Sequence, residues 1–243
     1  MTTTSFSPLV LGTELNDTLT GTISNDQLIG LEGNDTLDGA LGSDVLIGGD
    51  GDDTFISDAL DFVDGGLGID TIDFSALTDG LSIDLDLNSP PGSGASEIGA
   101  VLTAAPAAGG TPTVAVLDVE NVIGTQGNDF IFGNQEVNVL EGGLGNDVFH
   151  SFGGADTVDG GDGIDTVLFS AGPGTTVTLD DFGNGVASVG DTLISIENIT
   201  GSASGDDNIT GNAGNNILNG NGCLLYTSPS PRDATLSRMP SSA

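Results

Sequence analysis

Residues 48–56 read GGDGDDTFI and residues 65–73 read GGLGIDTID. Both carry Gly at positions one, two and four, Asp at position six and an apolar residue at position eight. Residues 142–150 (GGLGNDVFH) and 160–168 (GGDGIDTVL) repeat the pattern in full. Reading outward in nines, one array runs from Gly12 as GTELNDTLT, GTISNDQLI, GLEGNDTLD, GALGSDVLI and GGDGDDTFI, then the shortened SDALDFVD and GGLGIDTID. A second runs from Gly124 as GTQGNDFIF, GNQEVNVLE, GGLGNDVFH, SFGGADTVD and GGDGIDTVL. A third follows Gly201 as SASGDDNIT and GNAGNNILN.

Position eight is apolar in all fourteen copies: Leu19, Leu28, Leu37, Leu46, Phe55, Val63, Ile72, Ile131, Leu140, Phe149, Val158, Val167, Ile209 and Leu218. With 37% apolar residues, such agreement arises by chance about once in a million. Position six is Asp in twelve copies, with Asn138 and Asn216 in the other two, and position four is Gly in ten. Glycines permit positive φ and let carbonyls turn toward a shared point that a Cβ would obstruct. The Asp places a charged oxygen at the end of that turn. The next three residues form a very short strand whose middle side chain points inward. Such a strand is stable only when stacked on its neighbours, each adding one layer to a narrow core. The fold expected is all-β, with parallel strands.

Composition agrees with a fold completed by cations. The 243 residues include 40 glycines, 36 acidic residues and two basic ones, for a net charge of −34. Self-repulsion on that scale opposes a compact state unless cations neutralise it. The 37% apolar share is high for a disordered acidic chain. Aspartate and backbone oxygens in glycine-rich turns suit Ca²⁺ rather than zinc or copper. Nucleic acid and anionic membranes would be repelled. Cys223 is the only cysteine, so no intramolecular disulfide forms. No apolar run approaches the roughly 18 residues of a membrane span. The N-terminus lacks the basic and apolar regions of a cleaved secretory signal.

The four full copies resemble the RTX family, the hemolysin-type calcium-binding repeats of secreted bacterial proteins, whose consensus is GGxGxDxUx. The resemblance covers residues 12–75 and 119–222. It implies a right-handed parallel β-roll, or β-solenoid, with two nonapeptides per turn. Several Ca²⁺ ions would sit between turns, held by position-six aspartates and backbone carbonyls. Carried over, the metal candidates are Asp17, Asp26, Asp35, Asp44, Asp53, Asp61, Asp70, Asp129, Asp147, Asp156, Asp165 and Asp207. Carbonyls near Gly33, Gly49, Gly51, Gly66, Gly68, Gly127, Gly143, Gly145, Gly161 and Gly163 would complete the sites. One edge then aligns Asp17, Asp35, Asp53 and Asp70, and the opposite edge Asp26, Asp44 and Asp61. In the second array Asp129, Asp147 and Asp165 align, opposite Asn138 and Asp156. GTELND and GTISND lack the position-four glycine, SDALDFVD is one residue short, and GNQEVN has Glu136 and Asn138 in place of Gly and Asp. Weak or empty sites are expected there.

A longer unit overlays the nonapeptides. GGLGIDTIDFS at 65–75 recurs as GGDGIDTVLFS at 160–170, and VENVIG at 119–124 recurs as IENITG at 196–201. LSIDLDL (81–87) and TTVTLDD (175–181) read as ordinary strands. Residues 88–113, rich in Pro, Gly, Ala and Ser, read as a flexible excursion. Residues 223–243 hold the only Cys, the only Tyr and both arginines, with one of the 36 acidic residues. They resemble translated adapter read-through, so a non-native tail and a missing natural C-terminus are expected. The division is a first roll array over 12–75, strand and excursion over 76–118, a second array over 119–170, a calcium-free strand coil over 171–200, the start of a third array over 201–222, and the tail over 223–243.

The sequence offers no enzyme. His150 is the only histidine, which excludes an HExxH zinc site, and its place at position nine marks an outward side chain. GSASG at 201–205 has Ala203 where a nucleophile elbow needs Ser. Paired carboxylates for glycoside hydrolysis need two different environments in a cleft, which a repetitive roll does not supply. The expected function is calcium binding in an extracellular bacterial protein, secreted or at the cell surface, which folds with calcium after type I secretion. The alternative is the accessory repeat domain of a secreted protease, lipase or cytolysin, or an adhesin or surface-layer spacer.

Overall fold

The computed structural model describes residues 9–58, 60–85, 100–104, 113–151, 153–169, 174–221, 225–227 and 235–236. Among them there is no helix, and so none long and apolar enough to cross a membrane. The chain forms two compact units, 1–126 and 127–243.

In the first unit successive nonapeptide strands alternate between two parallel rows. One row stacks Leu9–Leu11, Gln27–Glu32, Val45–Asp50, Phe62–Leu67 and Thr113–Leu117. The other stacks Thr18–Thr20, Thr36–Asp38, Thr54–Ile56, Thr71–Asp73 and Asn121–Ile123. Partners lie two repeats apart, so position eight meets position eight: Leu28 with Leu46, and Leu37 with Phe55. The short copy changes the step without breaking the register, since Leu46 pairs with Val63.

The second unit repeats this plan. One parallel row holds Phe130–Phe132, Val148–Ser151, Thr166–Phe169, Asn198–Thr200 and Ile217–Asn219. Another holds Val139–Glu141, Thr157–Asp159 and Thr192–Ile194, with Gly185–Val186 antiparallel at its edge. A third pairs Thr176–Thr178 with Asp207–Thr210.

The core follows from the register. All fourteen position-eight side chains are buried, most of them completely. Their flanking residues face outward, as the intermediate–buried–intermediate pattern of Thr36–Asp38 illustrates. Each coil therefore adds two inward side chains, too few to hold one coil alone but enough when stacked. Outside the nonapeptides, Phe74, Leu81, Ile83, Val119, Phe169, Val177 and Ile196 extend this core.

Of the segments expected as ordinary strands, 81–87 and 175–181, the parts Leu81–Asp84 and Thr176–Thr178 are strands. The stretch expected as a flexible excursion contains Ala100–Ala104, which pairs antiparallel with both Thr113–Leu117 and Leu81–Asp84. Residues 86–99 and 105–112 lie outside the described residues. Within the segment expected to be a foreign tail, Leu225–Thr227 and Thr235–Leu236 pair in parallel with Asp207–Thr210 and Ile217–Asn219. The rest of that segment is not among the described residues.

Candidate metal centre

From the second coil of an array on, the position-six aspartate stands at the start of a strand and reaches back one coil. Asp17 N–H donates to Asp35 Oδ1 at 2.7 Å, Asp35 N–H to Asp53 Oδ1 at 2.8 Å, and Asp53 N–H to Asp70 Oδ1 at 2.8 Å. The opposite edge runs from Asp26 N–H to Asp44 Oδ1 (2.7 Å) and from Asp44 N–H to Asp61 Oδ1 (2.9 Å). In the second unit Asp129 N–H donates to Asp147 Oδ1 (2.7 Å) and Asp147 N–H to Asp165 Oδ1 (2.8 Å). Asn138 N–H donates to Asp156 Oδ1 at 2.9 Å, and Thr175 N–H to Asp207 Oδ1 at 2.7 Å. One carboxylate oxygen thus closes a rung between coils.

The other oxygen is the informative one. Oδ2 of Asp35, Asp44, Asp53, Asp70, Asp147, Asp156, Asp165 and Asp207 is buried and makes no hydrogen bond. Leaving a buried carboxylate oxygen bare is costly. No Lys or Arg is available among the described residues to satisfy it. Burial accordingly pushes Asp70 and Asp147 up to about 7, helped by the neighbouring carboxylates and opposed by the rung N–H. Asp44, Asp53, Asp156 and Asp165 are pushed up to about 6, again chiefly by burial. A cation against these oxygens would oppose the shift, because a positive charge favours the ionised carboxylate.

The glycines leave room for one. At position one of the strong copies a Cβ would strike the bare oxygen of its own repeat: Gly48 lies against Asp53 Oδ2 and Gly142 against Asp147 Oδ2. At positions two and four the need is conformational. Gly49 (φ 120°) and Gly51 (φ 131°) adopt a backbone that side chains disfavour. Gly33, Gly66, Gly68, Gly143, Gly145, Gly161 and Gly163 share positive φ, whereas Gly127 does not. The carbonyls of Gly33, Gly49, Gly51, Gly127, Gly143 and Gly145 each occupy the space that a Cβ on the glycine one coil on would take. Among the described residues no three His, Cys, Asp or Glu side chains converge. The carboxylates come one per turn along each edge, and the glycine-turn carbonyls are the nearest further hard oxygens of the backbone. Hard oxygens, a bare charged atom and a cleared cradle fit Ca²⁺.

The weaker copies differ for a visible reason. Thr13 donates its N–H (2.6 Å) and Oγ1 (2.8 Å) to Asp17 Oδ2, and Thr22 does the same to Asp26 Oδ2, which leaves Asp26 Oδ1 bare. Ser57 Oγ donates to Asp61 Oδ2 at 2.8 Å. Asn216 offers its own donor, Nδ2, to the Glu197 carbonyl at 2.9 Å. In these copies protein donors sit where a cation would.

Four features escaped the sequence reading. Asp70 N–H donates to Glu120 Oε2, and Asp165 N–H to Glu197 Oε2, each at 2.8 Å. Asp191 Oδ1 accepts the N–H of Asp156 at 3.1 Å and so extends the Asn138–Asp156 edge. Position five builds an outer ladder in the reverse direction: Asn34 N–H donates to Asn16 Oδ1 (3.0 Å), and Asn146 N–H to Asn128 Oδ1 (2.8 Å). Its signal was present as the repeated Asn-Asp pair. His150 is half-buried on an outward position and stacks on Phe132 at 5.6 Å, and burial lowers its pKa.

Stacked parallel coils, each presenting aspartates with a bare buried oxygen, define a calcium-binding β-roll of nonapeptides. The family model described as the RTX calcium-binding nonapeptide repeat, in four copies, matches residues 11–46, 32–59, 42–72, 118–136, 132–167 and 202–223. These matches cover more than half of the chain, and the chain belongs to that family. Comparison with curated proteins gives no match.

Proposed function

We propose that the chain is an extracellular calcium-binding repeat protein, or the repeat portion of one, that is unfolded at low cytosolic calcium and rolls up after export. What supports this reading is the row of buried aspartate oxygens without hydrogen bonds in a chain of net charge −34. The ligands proposed are the twelve position-six aspartates with the glycine-turn carbonyls. Occupancy is strongest at Asp35, Asp53, Asp70, Asp147 and Asp165, and weakest at Asp17, Asp26 and Asp61. The arrays over 12–75 and 119–170 are the proposed binding segments.

Without cations the aspartate rungs repel one another, and the narrow core does not offset chain entropy. Bound Ca²⁺ would supply the positive charge that these rungs lack and a partner for their bare oxygens. Because the ligands converge only in the rolled chain, binding free energy becomes folding free energy. Affinity falls in the extracellular range, on the order of 10⁻⁴–10⁻³ M. Type I secretion is the proposed route of export, and no catalytic role is assigned.

Calorimetric titration of the chelator-treated chain tests the reading. Saturable Ca²⁺ binding at several sites, with Mg²⁺ a poor substitute because it demands a small octahedral site, is expected. No saturable binding up to millimolar Ca²⁺ contradicts it.

A further inference from the structure

We propose that Glu120 and Glu197 are calcium ligands, each closing a site where an aspartate edge meets a turn that is not a nonapeptide. The proposal rests on the calcium-binding reading above.

Both glutamates hold the place of the next aspartate. The rung from Asp53 to Asp70 is an N–H donated to a carboxylate oxygen at 2.8 Å, and the same bond joins Asp70 to Glu120 and Asp165 to Glu197 at the same length. Asp70 and Asp165 are fully buried, and Oδ2 of each makes no hydrogen bond. That bare oxygen lies beside a backbone carbonyl of the glutamate's own turn. Asp70 Oδ2 and the Asp118 carbonyl both crowd the space that a Cβ on Gly65 would take, and Asp165 Oδ2 and the Ser195 carbonyl crowd that of Gly160. Inside the array the same space beside Gly48 is crowded by Asp53 Oδ2 and the Gly65 carbonyl. Asp118 and Ser195 thus stand in for the position-one glycine of a next turn.

The backbone is bent to do this twice. Asp118 (φ 48°) and Ser195 (φ 53°) occupy the left-handed region two residues before their glutamates. Neither is glycine, so each conformation is imposed by its surroundings. Val119 and Ile196, buried between, anchor the short turn. Two carboxylates and a carbonyl of one geometry recur in two separate units, and this donor set takes a hard divalent cation. The coil over 171–200 then takes part in calcium binding along this edge.

Glu120→Gln and Glu197→Gln separate a ligand from a structural acceptor. Glutamine keeps an oxygen for the rung N–H and removes the charge. Ions bound at saturation and the calcium midpoint of folding are measured in the full chain, with Glu141→Gln, on an outer strand position, as the charge control. Each ladder variant is expected to bind fewer ions, or to need on the order of tenfold more calcium, while the control matches the parent. Variants equal to the parent in both readouts, or a control that shifts equally, overturn the proposal. A parent chain that binds no calcium overturns the calcium reading itself, which is a distinct result.

Discussion

Asp53 receives no help with its second oxygen, whereas Asp61 receives Ser57: Oδ2 of Asp53 is buried and bare, and Oδ2 of Asp61 accepts the Ser57 hydroxyl at 2.8 Å. Both aspartates also accept one rung N–H, from Asp35 and Asp44, and Asp61 Oδ2 accepts the Asp58 N–H at 3.4 Å as well. Replacing each with Asn keeps an acceptor for that rung and removes the charge. Asp53→Asn is expected to raise the calcium needed for folding on the order of tenfold, and Asp61→Asn to change it little. Calcium titrations of the two variants check this, and equal shifts would sink the ranking of the sites.

The position-one glycines give a steric test. A Cβ at Gly48 would strike Asp53 Oδ2 and come within 2.7 Å of the Gly65 carbonyl, filling the proposed cradle. At Gly153 the nearest atom is Gln135 Cα at 3.7 Å, an ordinary contact. Gly48→Ala is therefore expected to weaken calcium binding while Gly153→Ala leaves it unchanged. Calorimetry on both variants reads the difference.

The raised carboxylates set a pH dependence of unusual sign. Burial pushes Asp70 and Asp147 up to about 7, from the ordinary carboxylate value of 3.8. Between those values the fold holds protons that the unfolded chain has released. The penalty for burying these charges is therefore absent in acid and complete above the folded pKa. In chelator, circular dichroism should show more β structure at about pH 5 than at about pH 8. With calcium the trend reverses, because protons and the cation compete for the same oxygens. A signal in chelator that stays flat across this range would contradict the assignment.

Much of this was legible in the sequence, because a nonapeptide repeat states its own register. The alternation of Leu28, Leu37 and Leu46 gives two rows of inward side chains, and the period fixes which aspartates share an edge. What was not legible lies outside the period. Glu120 follows Asp70 by 50 residues, Asp191 follows Asp156 by 35 and Glu197 follows Asp165 by 32, so no fixed step points to them. VENVIG and IENITG were visible as a recurrence, yet their role depends on the turn that carries Asp118 and Ser195 back to the ladder. Strand Ala100–Ala104 was hidden because a Pro- and Gly-rich composition reads as loop, while its partners in Leu81–Asp84 and Thr113–Leu117 are set by tertiary contact. The donors Thr13, Thr22 and Ser57 could have been suspected as the hydroxyl residues at positions one and two of the poor copies.

The central claim is that the roll forms with calcium, and far-UV circular dichroism of the full chain at about pH 8 tests it most directly. In chelator the account predicts a coil-like spectrum. Adding calcium should convert it cooperatively to β structure, with a midpoint on the order of 10⁻⁴–10⁻³ M, and chelator should reverse the change. A chain already β-structured in chelator, and unchanged by millimolar calcium, would contradict it.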